Sequence, residues 1–302
     1  MTFIKKKTYE QHDNEEGSFY KNSVKPFEFS ERLENNLDID LCVIGGGLTG
    51  ISSALNLAKE GYSVALCEAR TLGWGASGRN GGQLGIGMRK DQFFIEKKLG
   101  FEHAKELWNL GLEAVSETTK LISKYNIQCA LQKGVIHAGF SKRNRDDFHF
   151  EIEHMHKHYN YDGYKFFNKY EIKEEINSDI YNSGLLNNDN YHLNPLKLLL
   201  GLANELVKLK VRIYENTPVT KILKDRDGVK VYSEFKIIKA KKVIVCCNGY
   251  LDKLLGNIRN KFMPINNYVI ATEPLGEEKA REIIKNNYAV SDTRFIIDYY
   301  RF

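Results

Sequence analysis

The sequence contains no uninterrupted run of about 18 apolar residues, the length that a membrane-spanning helix requires. Its basic beginning, residues 1–7, leads into polar residues rather than into an apolar segment, so the pattern of a secretory signal is missing. Of its 302 residues, 42% are apolar and 27% are charged, values that exclude a chain disordered throughout, a collagen and a coiled coil. These absences predict a globular cytoplasmic protein with no membrane span.

Metal-binding patterns of cysteine and histidine are also missing. No C-x-x-C pair occurs among the five cysteines. Cys42 and Cys67 fall in apolar runs, where a reduced thiol behaves as a small buried side chain. Four histidines lie within 149–158, but the Glu and Lys residues around them favour a solvated helix over a tetrahedral zinc site. We therefore expect no bound metal.

A continuous basic segment is absent too, although the net charge is +5, from 44 basic and 39 acidic residues. The lysines are scattered and interleaved with glutamates, whereas a nucleic-acid site gathers its basic residues on one face or in one segment. No nucleic-acid partner is expected.

The length of the chain predicts two domains of about 100–200 residues each. Residues 1–37 are polar and weakly periodic, and we interpret them as an N-terminal extension. The first regular pattern is an apolar run at 39–44, which predicts a strand covered on both faces. A helix is predicted at 51–58, where apolar residues recur every three to four positions, and a second strand at 62–67. These segments form the start of a strand–helix–strand unit.

Three glycines stand in the turn between the first strand and the helix. Gly45, Gly47 and Gly50 form the pattern G-x-G-x-x-G, and Glu68 ends the second strand. In a dinucleotide site the first glycine permits the tight turn, the second lets the backbone approach a pyrophosphate, and the third lets the helix pack closely on the strand. The pyrophosphate lies at the helix N-terminus, and the acid accepts hydrogen bonds from a ribose. The arrangement predicts a dinucleotide-binding site.

The loop that follows distinguishes FAD from NAD. FAD is longer than the first turn can cover, so a flavoprotein needs a second loop that lines the phosphates and the ribityl chain. Residues 73–83 contain small residues, which let the backbone come close to a cofactor. The polar members of this loop supply hydrogen-bond donors: Ser77, Arg79, Asn80 and Gln83. The second loop therefore favours FAD.

Further periodic segments complete the expected secondary structure. Helices are predicted at 101–125 and from Asn194-Pro195 to 208, because asparagine can cap a helix and proline is tolerated at its first position. Strands are predicted at 135–140, 211–215, 218–222, 229–233, 242–247, 268–272 and 295–300.

Taken together, the motifs resemble those of the D-amino acid oxidase superfamily of FAD-dependent oxidoreductases, and within it the branch typified by gamma-glutamylputrescine oxidase. The resemblance extends over nearly the whole chain after the N-terminal extension, with its motifs in the expected order. The segments that carry it are 40–50, 75–83, 192–196, 271–275 and 298–301. The most specific of them is Gly-Ala-Ser-Gly-Arg-Asn-Gly-Gly-Gln at 75–83.

The resemblance implies an α/β fold in which a Rossmann-type FAD-binding domain (38–88 and 190–265) is interleaved with a mixed-sheet substrate domain (89–189 and 266–302). It assigns the main chain of Val219 to the adenine, and the segment 81–83 to the isoalloxazine ring. The expected cofactor-binding residues are Gly45, Gly47, Leu48, Thr49, Gly50, Glu68, Ala69, Arg70, Ser77, Arg79, Asn80, Gly81, Gly82, Gln83, Val219, Asn248 and Gly249.

The resemblance also implies oxidation of a C–N bond in an amine or amino acid of the gamma-glutamylputrescine class. A hydride passes to flavin N5, the imine hydrolyses, and oxygen reoxidises the flavin. His192, Tyr268 and Tyr299 are the candidate catalytic residues. Because side chains alternate along a strand, only one of Tyr299 and Tyr300 can face the flavin.

Two alternatives stay open at this point. A dehydrogenase or demethylase of N-methylated amino acids would pass its electrons to a carrier rather than to oxygen. The chain also stops at Phe302, inside a predicted strand, whereas members of the family continue beyond this point. We therefore expect an incomplete substrate domain, and a truncated flavin-binding fragment without activity is the second alternative.

Overall fold

The computed structural model describes residues 18–88, 90–234, 236–251 and 254–302. The first 17 residues of the predicted N-terminal extension lie outside the described residues. The helices are α1 (Phe19–Asn22), α2 (Leu48–Lys59), α3 (Gln92–Leu99), α4 (Phe101–Lys124), α5 (Lys142–Tyr159), α6 (Lys169–Glu175), α7 (Pro195–Lys208), α8 (Gly256–Arg259) and α9 (Glu277–Ile283). The strands are β1 (Leu37–Ile44), β2 (Val64–Cys67), β3 (Gln83–Leu84), β4 (Gln132–Gly139), β5 (Tyr164–Phe167), β6 (Ser183–His192), β7 (Arg212–Tyr214), β8 (Val219–Asp225), β9 (Gly228–Ser233), β10 (Ile237–Val245), β11 (Ala289–Asp292) and β12 (Tyr299–Tyr300).

The chain forms two compact units and passes between them three times. Unit 1 contains the described residues up to Arg79 together with Pro195–Val269, and unit 2 contains Asn80–Asn194 and Ile270–Phe302. Each unit is built on its own six-stranded sheet. The predicted α/β fold, with two interleaved parts, is confirmed. No described helix has both the length and the apolar character that crossing a membrane would require.

The sheet of unit 1 has the strand order β7-β2-β1-β10-β9-β8. Its first four strands run parallel, and β10, β9 and β8 continue it as an antiparallel meander. Helix α2 lies between β1 and β2 in the chain and buries Ile51, Ala54 and Leu55, the apolar stripe that its sequence predicts. The carboxyl ends of β1, β2 and β10 therefore meet at one edge, which is where α/β sheets bind their ligands.

The sheet of unit 2 is mixed, with the order β12-β11-β4-β6-β3 and β5 paired to β6. Strands β4 and β11 are parallel, and the other pairs are antiparallel. Its core contains Ile136, Ile172 and Leu186, all nearly inaccessible to solvent. The short strand β3 begins at Gln83, so this sheet starts directly after the glycine-rich loop.

Near the end of the chain one prediction of secondary structure is wrong and a second is right only in part. No strand forms at 268–272, and only Tyr299–Tyr300 of the segment 295–300 is a strand. Tyr268 is 75% exposed and Ile270 is 90% exposed. Apolar, β-branched residues form a strand only where a neighbouring strand accepts their backbone hydrogen bonds. Among the described residues none pairs with 268–272.

Candidate cofactor site

The turn after β1 depends on its glycines for steric reasons. Gly45 has a φ of +109°, and a Cβ there would lie 2.6 Å from the carbonyl oxygen of Cys246. A Cβ on Gly50 would overlap the carbonyl oxygen of Gly45. The first glycine thus permits the turn, and the third lets α2 approach the end of β1 closely, as the sequence pattern predicts.

Helix α2 begins at Leu48 without a capping side chain on its N-cap residue, Gly47. The Leu48 N–H donates to the Ser77 hydroxyl over 3.1 Å. A Cβ on Gly47 would lie 2.9 Å from the same hydroxyl oxygen. An uncapped N-terminus presents N–H groups and a partial positive charge, and here it already binds an oxygen atom. Its donors fit the phosphate oxygens of a dinucleotide.

Glu68 follows β2 and lies beside this turn. Its carboxylate accepts hydrogen bonds from the Gly46 N–H (2.6 Å) and the Arg70 N–H (2.8 Å). Burial raises the pKa of Glu68, and the hydrogen bonds from these backbone donors oppose the rise. The same carboxylate therefore ties the glycine turn to the residues Ala69 and Arg70 that follow it.

Glu215 is a further candidate at this edge of the sheet, and it is not among the residues predicted from the sequence. It follows β7, the strand next to β2, and its carboxylate accepts the Leu72 N–H over 2.5 Å. Burial raises the pKa of Glu215, and the nearby charge of Glu68 raises it further. An acid at the end of an apolar strand is a signal that could have pointed to it, because parallel strands bring their carboxyl ends together.

Glu68→Gln is expected to change how the stability of the apoprotein depends on pH. A carboxyl group with a raised pKa binds its proton more tightly in the folded state than in the unfolded state, whose value is near 4.5. Its contribution to stability is therefore largest at low pH and is lost as pH rises through the folded-state pKa. The free energy of unfolding, measured with urea from about pH 4 to pH 8, should therefore rise for the variant relative to the wild type as the pH increases. The control is Glu60→Gln, at an exposed acid that follows α2. The free energy of unfolding of this variant should change with pH in the same way as that of the wild type.

Two further segments reach the same edge of the sheet. The Thr217 N–H donates to the Glu68 carbonyl over 2.8 Å, and Val219 begins β8 two residues later. After β10, Asn248 adopts a φ of +47° and starts a 3₁₀ turn that contains Gly249. The structure thus brings the glycine turn, Glu68–Arg70, Ser77 and the turn at 248–249 together, with Val219 close along the chain.

In unit 2 the predicted residues Asn80, Gly81, Gly82 and Gln83 line a cavity of about 270 Å³ together with Tyr299. The Asn80 side chain accepts the Gly82 N–H over 2.8 Å, and Gly82 has a φ of +71°. A Cβ on Gly81 would overlap the ring of Tyr299. Small residues are therefore required here so that the aromatic ring can lie against the backbone.

Arg301 supports this segment and is a second residue that the sequence analysis did not assign to the site. Its guanidinium donates to the Gly81 carbonyl and to the Leu193 carbonyl, each over 2.8 Å. The Leu193 N–H in turn donates to the Gly82 carbonyl. These bonds hold the walls of the cavity, and no local pattern could reveal them, since the partners lie more than a hundred positions apart in the chain.

The three candidate catalytic residues have different surroundings. Tyr299 lines the cavity, whereas Tyr300 points into the core and its hydroxyl bonds to that of Tyr181, as strand alternation predicts. His192 is buried beside Gln83 in the sheet, and its Nε2 donates to the Asn287 carbonyl over 2.7 Å. Burial lowers the pKa of His192 and so disfavours the charged form of the ring. Tyr268 belongs to unit 1 and faces solvent.

The sequence matches the family model described as FAD dependent oxidoreductase over residues 40–302. It is 36% identical over 266 residues to the probable oxidoreductase OrdL of Haemophilus influenzae, an alignment that covers 87% of this chain and 62% of that protein. It is 34% identical over 285 residues to gamma-glutamylputrescine oxidoreductase of Escherichia coli, an alignment that covers 94% of this chain and 66% of that protein. The chain thus spans less than two thirds of the length of these curated relatives, 62% and 66% respectively.

Solved structures share the fold at lower sequence identity. Glycine oxidase from Geobacillus kaustophilus superposes with a TM-score of 0.63 at 20% identity, over 74% of this chain and 59% of that one. L-proline dehydrogenase from P. horikoshii superposes with a TM-score of 0.60 at 19% identity, over 87% and 67%. At these identities the likeness concerns the fold alone.

Proposed function

Because the chain belongs to the family of FAD dependent oxidoreductases, we propose that it binds FAD and serves the oxidation of a C–N bond in an amine or amino acid. The resemblance stated from the sequence motifs is thereby confirmed, and the cofactor of the family is FAD. The substrate, the electron acceptor and the activity of the whole protein are the parts that we propose.

The observation that supports cofactor binding best is the edge of the sheet in unit 1. The N-terminus of α2, the glycine that precedes it and the half-buried acid Glu68 lie together at the carboxyl ends of neighbouring parallel strands. We assign the pyrophosphate to the first turn of α2, where the N–H groups of Thr49 and Gly50 stand beside the Leu48 N–H that donates to Ser77, because N–H groups at a helix N-terminus bind phosphate oxygens. We assign the ribose of the adenosine to Glu68.

In unit 2 the segment 80–83 is the proposed support of the isoalloxazine ring. Its glycines let the Tyr299 ring and the Arg301 side chain lie against the backbone, and Asn80 and Arg301 hold that backbone by the hydrogen bonds described above. When bound, FAD supplies the chemistry, since the flavin accepts two electrons from the C–N bond. The proposed role of the chain's own residues is to orient the substrate and exclude water, and Tyr299, which lines the cavity, is the residue that we propose for it.

For the substrate we propose a primary or secondary amine of the kind that the E. coli relative is named for. A neutral amine must present the hydrogen on its α-carbon to the flavin, so the site needs an aromatic wall and backbone acceptors more than it needs a strong base. Tyr299, which lines the cavity, is the proposed aromatic wall.

The test is to purify the chain and record its visible spectrum with and without added FAD. Bound flavin shows bands in the blue and near ultraviolet. Gamma-glutamylputrescine, putrescine, glycine and sarcosine are then mixed with the flavin-loaded protein without oxygen, and bleaching identifies the substrate class. Admitting air, or a dye acceptor, separates an oxidase, which forms peroxide, from a dehydrogenase. Failure to bind FAD would overturn the proposal, and bound flavin that no amine bleaches would contradict its catalytic part.

Glu68→Ala is expected to weaken the binding of FAD by about 1–3 kcal/mol, the usual scale for losing hydrogen bonds to a charged group. This corresponds to roughly a fivefold to 150-fold rise in Kd. Kd can be measured by titrating apoprotein with FAD and following the quenching of flavin fluorescence. Glu60→Ala removes an exposed acid that follows α2 and should leave Kd unchanged. An unchanged Kd in Glu68→Ala would mean that this carboxylate does not contact the cofactor.

A further inference from the structure

We infer that Trp74 is a positioning residue that holds the guanidinium of Arg79 for the negatively charged pyrophosphate of FAD. The inference rests on the proposed function and deepens it, because it names a buried aromatic ring that sets the affinity for the cofactor. Neither the glycine fingerprint nor the assigned donors include Trp74.

The contact between Arg79 and Trp74 has the geometry of a cation–π pair. The Arg79 Cζ lies 4.7 Å from the centroid of the indole, within the distance of about 6 Å at which such pairs attract. Trp74 is only 8% exposed, so the ring face that meets the guanidinium is largely shielded from water. Over the described ranges of the chain, no carboxylate forms an ion pair with Arg79. Its charge therefore stays available to an anion.

The indole is itself held by packing from a distant part of unit 1. Tyr250, in the 3₁₀ turn after β10, meets it edge-on with ring centroids 5.5 Å apart. A Cβ on Gly75 would lie 3.1 Å from the Tyr250 ring, so a glycine beside Trp74 leaves room for this contact. The Trp74 Nε1 has no hydrogen-bond partner within the described part of the chain. Aromatic contacts, rather than a hydrogen bond of its own N–H, therefore set the orientation of the ring.

The position of Arg79 in the chain connects this pair to the phosphate site. Arg79 directly follows the 3₁₀ turn Ala76–Gly78, and its N–H donates to the Ala76 carbonyl. Ser77 in the same turn accepts the Leu48 N–H at the start of α2. Arg70, which follows Glu68, also lies over the indole, with its Cζ 5.6 Å from the centroid. The indole thus lies against two guanidinium groups, one of which follows the turn that binds the start of α2.

A merely structural tryptophan would behave differently from a positioning one. If Trp74 only fills space, its loss lowers stability and weakens the binding of FAD whether or not Arg79 is present. The loss of affinity is then the same at low and high salt. If Trp74 acts by orienting a charge, its loss matters only while Arg79 is present, and salt screens the effect.

The experiment is a double-mutant cycle of Trp74→Leu and Arg79→Gln, with the Kd for FAD measured on apoprotein at 50 mM and 500 mM NaCl. We expect Arg79→Gln to raise Kd about tenfold at low salt and Trp74→Leu about threefold to tenfold. The double variant should bind FAD no more weakly than Arg79→Gln alone. At 500 mM NaCl the Kd of each of the three variants should differ less from that of the wild type. Trp74→Phe keeps an aromatic face and should retain most of the affinity.

Trp108→Phe, at the other tryptophan of the chain, is the matched control and should leave Kd unchanged. Thermal unfolding of each apoprotein reports on folding separately from FAD binding. Additive effects in the double variant, or equal weakening at both salt concentrations, would overturn the inference while leaving the proposed function intact. A wild-type chain that does not bind FAD would instead contradict the proposed function.

Discussion

Gly47→Val is expected to abolish the retention of FAD while the protein still folds. Gly47 has a φ of −87° and a ψ of −178°, a conformation that any residue can adopt, so valine brings no backbone strain. Its Cβ would lie 2.9 Å from the Ser77 hydroxyl, which is a movable side-chain atom. The methyl groups beyond it would fill the space before the helix N-terminus, where the pyrophosphate is proposed to lie.

The ratio of flavin absorbance to protein absorbance after purification measures retention, and the Tm of the apoprotein reports on folding. Gly256→Ala is the control, because it also changes a glycine at a helix start, and nothing lies within 4 Å of a Cβ there. Full flavin occupancy in Gly47→Val would refute the assignment of this turn to the pyrophosphate.

Gly50→Ala should damage both the fold of unit 1 and the binding of FAD. A Cβ at this position would overlap the backbone carbonyl of Gly45, and no side-chain rotation can remove that overlap. Helix α2 would have to move away from the end of β1, which also displaces the N–H groups of its first turn. Overpacking of this kind costs about 1–3 kcal/mol or more. At the upper end, Tm should fall on the order of 5–10 °C.

Differential scanning calorimetry of the apoproteins measures this loss of stability, and a titration with FAD measures the loss of affinity. The control is Gly85→Ala, whose Cβ would make an ordinary 3.5 Å contact with Asn190. If Gly50→Ala unfolded at the wild-type temperature, helix and strand would not need the close approach that the structure shows.

The sequence was sufficient to predict the parts of the site that depend on local rules. Steric limits and periodicity within a few residues explain three of them: the need for glycine at Gly45 and Gly50, the apolar stripe of α2, and the position of Glu68 at the end of β2. The order of the motifs was also sufficient to identify the family. These features depend mainly on residues close in the chain, so a linear pattern can carry them, although the contact of Gly45 with the Cys246 carbonyl belongs to the tertiary structure.

The predicted strand at 268–272 failed for the opposite reason. Its apolar and β-branched residues favour extended chain, but a strand also needs a partner that no local pattern specifies. Tyr299 and Tyr300 show the converse, because β11 pairs with them and alternation then decides which ring reaches the cavity.

Several features of the site arise only from tertiary structure. Glu215 reaches Leu72, Tyr250 braces Trp74, and Arg301 holds Gly81, each across more than a hundred residues of sequence. Crossovers between parallel strands bring Glu215 and Tyr250 to one edge of the sheet in unit 1, and the antiparallel pairing of β12 with β11 brings Arg301 to Gly81. The sequence by itself determined the fingerprint and the family, since backbone sterics and periodicity act between near neighbours. The packing of the sheets decided which distant side chains hold that fingerprint in place, because only packing brings remote residues within hydrogen-bonding distance.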